Sequence, residues 1–553
     1  MTTLPDAYKH PYNFPKKYAK SVAYFCMDFA IDQSLKTYSG GLGFLAGSHM
    51  KSAHDLKQNL IGIGLLYKYG YYDQVRKPDQ TMDVLFQEKI YNFLVDTNIK
   101  FTITIDGYDV WVKAYFLKPE TFGTVPMFFL STDVEENDYL AKTTTFKLYD
   151  SDPRAKVAQT MVLGVGGAKF LDIIKYEPEV YHMNEAHALS AAFYLYKKFN
   201  NVDEVKKRFV FTTHTPVEAG NEKHDINLLH DMDFFCGVPL EEVKRISGMD
   251  ASDDVFNHSL VALRLSKKAN GVSKLHGEVS REMWGGYPGI CEIDHVTNAQ
   301  HAGYWTDKII KEASETGDEK LFKTRKARLK QKLFDEVADQ TGKLFDPNVL
   351  TIVWARRFAD YKRADLLTQD INRFRQLLAR VDQPVQVIWA GKPYPMDYNA
   401  VGTFNKLVHL AKEFKNMAVL VGYELKLSRK LKEGSDVWLN NPRVTREASG
   451  TSGMTAAMNG SVNLSTNDGW ICEFVKDGVN GFVLPTIDHN LPLREQDQKD
   501  FDNLYDYIEN KIIPAYYDNK GKAWQKIVNQ SMKDVVPFFD SSRMVDEYYA
   551  RIY

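Results

Sequence analysis

Short apolar segments alternate with helical stretches in two successive blocks of the chain, one in each half. Each apolar segment ends in polar residues or is followed by an apolar pattern of helical spacing, which predicts parallel strands joined by helical crossovers. A highly charged helical segment, residues 305–342, separates the blocks. We therefore predict an α/β protein with two doubly wound, Rossmann-like domains that face each other across a cleft. The predicted strands are residues 21–29, 60–67, 180–183, 208–213, 349–354, 385–390, 417–421 and 462–465.

The domain boundaries follow from this change of pattern. A chain of 553 residues is too long for a single core. We predict an N-terminal Rossmann-like domain over residues 1–298, a C-terminal one over residues 299–525, and a C-terminal helix over residues 526–553 that packs back on the first domain. Residues 101–115 alternate in polarity as a β-hairpin does, with Asp106-Gly107 as its turn.

The composition excludes several classes of protein. A hydrophobic fraction of 44%, a charged fraction of 26% and a net charge of -2 are typical of a soluble globular protein. No basic excess favours nucleic acid, and no basic amphipathic segment favours a membrane surface. No apolar run approaches the ~20 residues of a membrane span, so the expected compartment is the cytoplasm. The four cysteines lie far apart without CxxC spacing, which argues against disulfides and structural zinc.

A glycine-rich turn, Gly40-Gly41-Leu42-Gly43, follows the first predicted strand and opens a helix. Glycines at such a place let backbone N–H groups approach an anionic oxygen at the helix N-terminus. The turn is not a GxGxxG motif, and by itself a turn of this kind is more often structural than a phosphate site.

Two more predicted strands of the first block end in polar residues, where a doubly wound sheet places its ligands. One is followed by Asn184-Glu185-Ala186-His187 and the other by His214-Thr215-Pro216. Histidine and glutamate are metal ligands, but their spacing here fits neither HExxH nor a facial triad, so we expect no metal.

A basic cluster follows the first strand of the second block. Arg357 and Lys362 lie five residues apart, and both can converge on one phosphate. Each such charge-assisted hydrogen bond is worth ~1.5–3 kcal/mol. The alternative is a solvated basic helix start, and the pattern does not indicate which phosphate would bind.

The most specific segment is residues 447–460, Glu-Ala-Ser-Gly-Thr-Ser-Gly-Met-Thr-Ala-Ala-Met-Asn-Gly. It closely resembles the cofactor segment of the α-glucan phosphorylases, the family of glycogen, starch and maltodextrin phosphorylase, in its short bacterial form. The resemblance extends from about residue 20 to residue 475 and implies the GT-B glycosyltransferase architecture. The other matching blocks are residues 25–29, 38–43, 182–187, 213–216, 270–277, 297–298 and 356–363.

The resemblance implies roles for individual residues, with the glucan on the first domain and the donor phosphate on the second. One departure weakens the assignment of Asn298, because Ala299-Gln300 follows it where the family usually has Gly-Val. The implied roles are donor-phosphate contact for Gly40, Gly41, Leu42 and Gly43, sugar binding for Glu185, His187, Asn298, Ala448, Ser449, Gly450 and Thr451, and catalysis for His214, Arg357, Lys362 and Glu447.

Thr455 occupies the position at which the family has the lysine that holds pyridoxal phosphate as a Schiff base. An imine needs a primary amine, and residues 447–460 contain no lysine. We therefore expect no covalently bound cofactor, and pyridoxal phosphate is disfavoured.

Three activities remain open after the sequence alone. The favoured activity is that of a retaining glycosyltransferase that uses a nucleotide sugar. Related transferases have a Glu that binds the nucleotide ribose eight positions after the residue that matches Glu447. Thr455 occupies that position in this chain. In this reaction Arg357 and Lys362 would stabilise the leaving phosphate. The backbone carbonyl of His214 would stabilise the oxocarbenium character of the transferred sugar. The alternatives are an α-1,4-glucan phosphorylase with noncovalent pyridoxal phosphate and a non-catalytic glucan-binding relative. The expected partners are an α-glucan or other sugar acceptor and a nucleotide-sugar or phosphate donor, and a homodimer is left open.

Overall fold

The computed structural model describes residues 3–553, which form two compact units. The first unit comprises the residues up to Tyr72, Phe86–Asn298 and Ser541–Tyr553. The second unit comprises Asp73–Leu85 and Ala299–Asp540.

The strands are short and mostly buried. They are β1 (Val22–Phe25), β2 (Leu60–Leu65), β3 (Asp73–Arg76), β4 (Met82–Leu85), β5 (Val95–Ile105), β6 (Tyr108–Leu117), β7 (Met127–Ser131), β8 (Val180–Asn184), β9 (Phe209–Thr212), β10 (Lys223–Asp225), β11 (Val255–Asn257), β12 (Lys268–Gly271), β13 (Glu292–His295), β14 (Leu350–Ala355), β15 (Val385–Ala390), β16 (Met417–Leu420), β17 (Val437–Asn440), β18 (Val462–Ser465) and β19 (Phe482–Val483).

Helices fill most of the connections between these strands. They are α1 (Gly41–Asp55), α2 (Pro119–Phe122), α3 (Tyr139–Thr143), α4 (Pro153–Met161), α5 (Gly167–Ile173), α6 (Ser190–Phe199), α7 (Val202–Lys206), α8 (Ile226–Asp231), α9 (Leu240–Ser247), α10 (His258–Arg264), α11 (Lys274–Trp284), α12 (Ala302–Trp305), α13 (Lys308–Thr316), α14 (Glu319–Thr341), α15 (Ile371–Leu378), α16 (Tyr398–Ala411), α17 (Leu425–Gly434), α18 (Ser452–Ala457), α19 (Ile471–Phe474), α20 (Leu493–Asp506), α21 (Ile513–Tyr517), α22 (Lys522–Phe539) and α23 (Ser541–Glu547). Turns of π-helix lie at Val162–Gly166, Tyr507–Ile512 and Tyr548–Ile552, and 3₁₀ turns at Asp6–Tyr8, Lys16–Tyr18, Ala186–Ala188, Glu218–Gly220, Asp360–Lys362, Leu366–Thr368 and Asp518–Gly521.

The first unit is built on a nine-stranded sheet with the order β13-β12-β9-β8-β1-β2-β7-β6-β5. The seven strands from β13 to β7 are parallel, and β6 and β5 add an antiparallel hairpin at the edge. The hairpin turn is Asp106-Gly107, as the sequence predicts, and both residues have positive φ, 54° and 77°. Chain order reverses between β1 and β8, which makes that point the topological switch of the sheet.

The second unit contains a six-stranded parallel sheet with the order β16-β15-β14-β17-β18-β19. Numbered within the sheet, this is the 3-2-1-4-5-6 order of dinucleotide-binding folds, with its switch point between β14 and β17. The two largely parallel sheets confirm the predicted α/β fold class.

The core of the second unit shows why these segments take up these structures. The long helix α14 begins where Asp318 accepts the Leu321 N–H at 2.9 Å and ends at Gly342, which has a φ of 71°. Its residues Leu333 and Val337 lie in one buried cluster with strand and helix side chains. Burying each such side chain contributes about 1.5–3 kcal/mol. The cluster also contains Phe334, Phe345, Val353, Ala355, Ile388, Ala390, Ala418, Leu420, Tyr423, Leu427, Leu431, Trp438 and Ala456.

Two segments belong to a different unit from the one that the sequence boundaries assign them. The β3–β4 hairpin belongs to the second unit, because Gln74 donates to the Gly391 carbonyl at 3.0 Å and accepts the Gly422 N–H at 3.0 Å. Near the C-terminus the change of unit lies at residues 540/541 rather than 525/526. Helix α22 stays with the second unit because Val535 and Phe539 are buried in its core.

No helix among residues 3–553 is long and apolar enough to cross a membrane. The four cysteines, Cys26, Cys236, Cys291 and Cys472, are free thiols.

Candidate active site

The glycine turn of the first unit lies between β1 and α1, at one side of the switch point. Gly43 is required there, because a Cβ added to it would lie 1.9 Å from Asp28 Oδ1. Asp28 is fully buried and accepts the Ser39 hydroxyl at 2.8 Å, which fixes the turn. A Cβ added to Gly40 or Gly41 would have no atom within 4 Å. Leu42 follows in the first turn of α1. The free N–H groups at this helix end can receive an anionic oxygen.

Glu185 follows β8 at the other side of the switch point, in a strained backbone conformation. Its φ of 66° and ψ of 168° lie in a region that almost only glycine occupies, at a cost of about 1–3 kcal/mol. The carboxylate accepts the amide N–H of His214 and the Thr215 hydroxyl, the latter at 3.4 Å. Burial raises the pKa of Glu185 to about 7. The site thus holds a carboxyl group that titrates near neutrality.

His214 is fixed through both its backbone and its ring. Glu185 holds the amide, and the ring Nε2 lies 2.7 Å from Asn184 Oδ1. Burial lowers the pKa of His214 to about 3, so the ring is neutral at physiological pH. Because Asn184 Oδ1 can only accept, the proton is on Nε2.

Two other predicted sugar-binding residues of this unit carry buried polar atoms without a protein partner, His187 Nδ1 and Asn298 Oδ1. Buried polar atoms of proteins almost always have a hydrogen-bond partner, so such atoms mark places where a ligand hydroxyl can bind. Asn298 is connected to the His214 loop, since its N–H donates to the Val272 carbonyl, the Val272 N–H donates to His276, and His276 contacts the Thr215 carbonyl.

In the second unit, Glu447 lies between two cations at the end of β14. Arg356 Nη1 and Lys362 Nζ each lie 3.1 Å from Glu447 Oε2, and the three side chains are between 5% and 12% exposed. Burial raises the pKa of Glu447, but the charges of Lys362, Arg356 and Arg357 outweigh it and hold the pKa below its ordinary value. The site therefore contains a buried carboxylate and a net positive charge.

A third cation, Arg356, joins the predicted Arg357–Lys362 pair around Glu447. Arg357 is exposed, whereas Arg356, which the sequence analysis did not select, is buried and shares Glu447 with Lys362. Arg356 Nε has no hydrogen-bond partner although it is buried. Two adjacent arginines after a strand do not indicate which one turns inward, so the sequence could not have separated them.

The loop that begins at Glu447 rests on a second segment, Asp468-Gly469-Trp470, that the sequence analysis missed. Asp468 accepts the Glu447 N–H at 2.9 Å, and the Trp470 N–H donates to the Ser449 carbonyl at 2.9 Å. A Cβ on Gly469 would lie 2.4 Å from that carbonyl oxygen. Burial raises the pKa of Asp468 to about 7, and the charge of Glu447 adds to the rise. Polar residues just after β18 were the available signal.

The remaining predicted sugar-binding residues lie on this loop. Ala448 and Ser449 follow Glu447, and the Ser449 hydroxyl is buried without a partner. Gly450 has a φ of 84°, which favours glycine, and Thr451 precedes α18 without a side-chain capping bond. The Ser449 hydroxyl is thus a buried group of this loop whose hydrogen bonding a ligand could complete.

Thr455 does not fit the covalent attachment of pyridoxal phosphate. Its side chain is fully buried on α18, and its hydroxyl donates to the Ser452 carbonyl at 3.0 Å. The position offers no amine, and its one polar hydrogen already serves its own helix. The residues present therefore hold no Schiff base at this place.

Buried lysines near α18 already have other contacts. Lys326 donates to the carbonyls of Glu433 and Asn459, both at 2.9 Å, and Lys432 lies with its Nζ 3.8 Å from the centroid of the Trp305 ring. These amines hold helix ends and a ring together. Within residues 3–553 no group of three or more His, Cys, Asp or Glu side chains could hold a metal ion.

Comparison with known proteins covers nearly the whole chain. A family model described as carbohydrate phosphorylase matches residues 305–480. An uncharacterized protein of Methanocaldococcus jannaschii is 44% identical over 536 residues, 97% of this chain and 100% of that protein. The maltodextrin phosphorylase of Thermococcus litoralis is 34% identical over 605 aligned positions, 98% of this chain and 71% of the relative. The glycogen phosphorylase of Mycobacterium bovis is 32% identical over 617 aligned positions, 96% of this chain and 70% of the relative. The chain therefore belongs to the carbohydrate phosphorylase family, whose members are glycosyltransferases.

Proposed function

We propose that this protein is a retaining glycosyltransferase that moves a glucosyl unit between a nucleoside-diphosphate sugar and an α-glucan or related glycoside. One observation carries the proposal. Thr455 is fully buried and its hydroxyl serves its own helix, while the same unit keeps two buried cations, Arg356 and Lys362, of the kind that binds phosphate. The family normally uses pyridoxal phosphate, but this chain lacks the amine for it and keeps the groups that bind a leaving phosphate.

The cations of the second unit would receive the donor diphosphate. Arg356 and Lys362 share the single negative charge of Glu447, so an incoming phosphate completes the neutralisation of the site. Fixed cations stabilise a leaving phosphate without reorganisation during the reaction. Arg357, which is exposed, adds a third positive charge. Glu447 and the Ser449 hydroxyl would accept and donate hydrogen bonds to the hydroxyls of the transferred sugar.

The first unit would contribute groups on the sugar and the acceptor. Glu185 and Asn184 fix His214 through its amide and its ring. A backbone carbonyl held in this way would stabilise positive charge on a sugar bound beside it. Asn298 Oδ1 would accept a sugar hydroxyl, because that oxygen is buried and has no protein donor. His187 Nδ1 is suited to the same role.

Phosphorolysis is the second candidate, since two relatives that align over most of their length are named maltodextrin phosphorylase and glycogen phosphorylase. It would require pyridoxal phosphate to be held by noncovalent contacts alone. A non-catalytic glucan-binding protein is disfavoured, because it would have no need for a buried, partly neutralised pair of cations.

Thermal unfolding with ligands separates these candidates. A nucleoside diphosphate at 100 times its Kd should stabilise the protein by ~2.7 kcal/mol. Lys362→Ala should abolish this gain, whereas Lys406→Ala, which removes an exposed lysine of the same unit, should keep it. Thr455→Lys should also abolish it by filling the buried position. Release of glucose 1-phosphate from maltodextrin with phosphate, together with no response to any nucleotide, would replace the proposal by phosphorolysis.

A further inference from the structure

A buried ion pair of the second unit lies just beyond the carboxyl ends of β15 and β16. Lys392 follows β15 by two residues, and Glu424 follows β16 by four residues and precedes α17. Lys392 Nζ lies 2.9 Å from Glu424 Oε1, and the two side chains are 5% and 14% exposed. Because β14, β15 and β16 are parallel, the loops after them lie at one edge of the sheet, the edge at which doubly wound folds bind ligands. The pair therefore lies at the same edge as Arg356.

The backbone before Lys392 is in direct contact with Arg356. The Arg356 N–H donates to the Ala390 carbonyl at 3.2 Å. A Cβ added to Gly391 would lie 1.9 Å from the Arg356 carbonyl oxygen, so the two loops approach as closely as a glycine allows. Lys392 continues from this contact and is thus a neighbour of the buried cations that surround Glu447.

The buried side chain of Gln74 joins the loops after β15 and β16. Its amide donates to the Gly391 carbonyl and accepts the Gly422 N–H, each at 3.0 Å. The next residue, Tyr423, has its hydroxyl 3.4 Å from the carbonyl oxygen of Ala355 at the end of β14. These contacts fix the ends of three adjacent strands relative to one another, and with them the positions of the lysine and the glutamate.

The chemistry of this edge matches more than one phosphate group. Among residues 3–553, the buried Arg356 Nε has no hydrogen-bond partner, so a ligand oxygen can complete it. A buried ion pair is weak evidence for a stabilising role, because the cost of desolvation offsets most of its attraction. Lys392 and Glu424 instead offer an ammonium donor beside a carboxylate acceptor. A ribose phosphate presents the complementary groups, an anion and a pair of hydroxyls.

We propose that Lys392 and Glu424 recognise the nucleoside end of the donor. Lys392 binds the phosphate group that is bonded to the ribose, and Glu424 accepts hydrogen bonds from the ribose hydroxyls. Without a donor the two side chains neutralise each other. This inference rests on the proposed function, in which Arg356 and Lys362 bind the phosphate bonded to the transferred sugar. The pair then makes the site select a nucleoside diphosphate over inorganic phosphate.

Calorimetric titration of the full-length protein with four probes tests the assignment of Lys392. The probes are inorganic phosphate, inorganic pyrophosphate, ADP and UDP. Lys392→Ala should weaken the binding of pyrophosphate, and of whichever nucleotide binds more tightly, by about 10-fold or more, because a charge-assisted hydrogen bond is lost. Inorganic phosphate, which Arg356 and Lys362 bind, should keep its affinity.

Glu424→Gln separates the ribose from the phosphate. The variant should bind the nucleotide several-fold more weakly, because an amide replaces the carboxylate that accepts the ribose hydroxyls. It should bind pyrophosphate more tightly, because no carboxylate competes for Lys392. Lys430→Ala is the matched control: it removes the lysine of another ion pair, 2.6 Å from Glu336, on α17 itself. All four affinities should be unchanged in this control.

The outcomes distinguish this inference from the proposed function. If Lys392→Ala leaves the ratio of nucleotide affinity to phosphate affinity unchanged, the inference is overturned and the glycosyltransferase proposal stands. If the unchanged protein binds pyrophosphate through Lys392 but neither nucleotide, the nucleotide donor and the assignment of Glu424 are wrong, whereas the second phosphate site stands. Binding of inorganic phosphate alone overturns both proposals. Should Lys392→Ala fail to fold, Glu424→Gln decides alone: equal weakening of every probe, or of none, overturns the inference.

Discussion

The buried charge set around Glu447 makes the stability of the second unit depend on a single carboxylate. Glu447→Gln keeps the size of the side chain and an oxygen acceptor but removes the negative charge. Arg356 and Lys362, whose side chains are 5% and 12% exposed, would then face each other without a counter-ion. Removing one partner from a buried ion pair typically costs 3–5 kcal/mol. For a domain of this size, each kcal/mol lowers Tm by about 2–4 °C, so we expect a loss of at least about 6 °C.

The response of Tm to inorganic phosphate tests the same argument more sharply. An anion at 100 times its Kd raises the free energy of unfolding of a protein that binds it by ~2.7 kcal/mol. The variant has one more uncompensated cation than the unchanged protein. Phosphate should therefore raise the Tm of Glu447→Gln more than that of the unchanged protein, as measured by differential scanning fluorimetry across a phosphate series.

A matched control and a pH series complete the test. Glu413→Gln breaks the exposed pair of Glu413 with Arg375, a kind worth 0–1 kcal/mol, and should change Tm little in either condition. The pKa of Glu447 lies below its ordinary value of 4.5, so its stabilisation is present above that pH and disappears as the pH falls through the lowered pKa. The deficit of the variant should thus vanish in acid. An unaltered Tm at pH 7 without phosphate would refute the argument that Glu447 neutralises the buried cations.

Three further outcomes are expected. The pKa of the Glu185 carboxyl is raised to about 7, so its contribution to stability is fully present below pH 4.5 and is lost as the pH rises through 7. Glu185→Gln should therefore reduce the fall of Tm between pH 4.5 and 7. An unchanged dependence of Tm on pH would contradict the assignment. Gly43→Ala should destabilise by roughly 1–3 kcal/mol in urea unfolding, because the new Cβ would lie 1.9 Å from Asp28 Oδ1, whereas Gly107→Ala, where nothing lies within 4 Å, reports the cost of positive φ alone. Protein purified without added pyridoxal phosphate and then treated with borohydride should carry no pyridoxyl adduct by mass spectrometry, since Thr455 has no amine. A stoichiometric adduct on any lysine would disprove this.

The sequence predicts the sheets better than it predicts the site. Segments such as Val385–Ala390 and Val462–Ser465 appear as strands with the predicted bounds, because each is rich in apolar residues and is buried along its whole length. The hairpin turn at Asp106-Gly107 can equally be predicted from the sequence, since its residues favour positive φ.

The rest depends on contacts between distant parts of the chain. The buried position of Arg356 depends on its contact with Glu447, ninety-one residues away, and the loop of Glu447 is positioned by Asp468. The strained φ of Glu185 has no local cause in the sequence and depends on the His214 amide that its carboxylate binds. No pattern of spacing or propensity contains such information.

The C-terminal segment Ser541–Tyr553 has a consequence for the order in which the protein can fold during synthesis. Asn270 donates to the Tyr548 hydroxyl at 3.0 Å, and His182 contacts the Tyr553 hydroxyl at 2.8 Å, so the last residues complete the interior of the first unit. A ribosome releases these residues only after the whole second unit has been made. The interior of the first unit therefore stays incompletely packed beside β8 and β12 until residues 541–553 are made. During that interval the nascent chain is most exposed to proteolysis and to binding by chaperones.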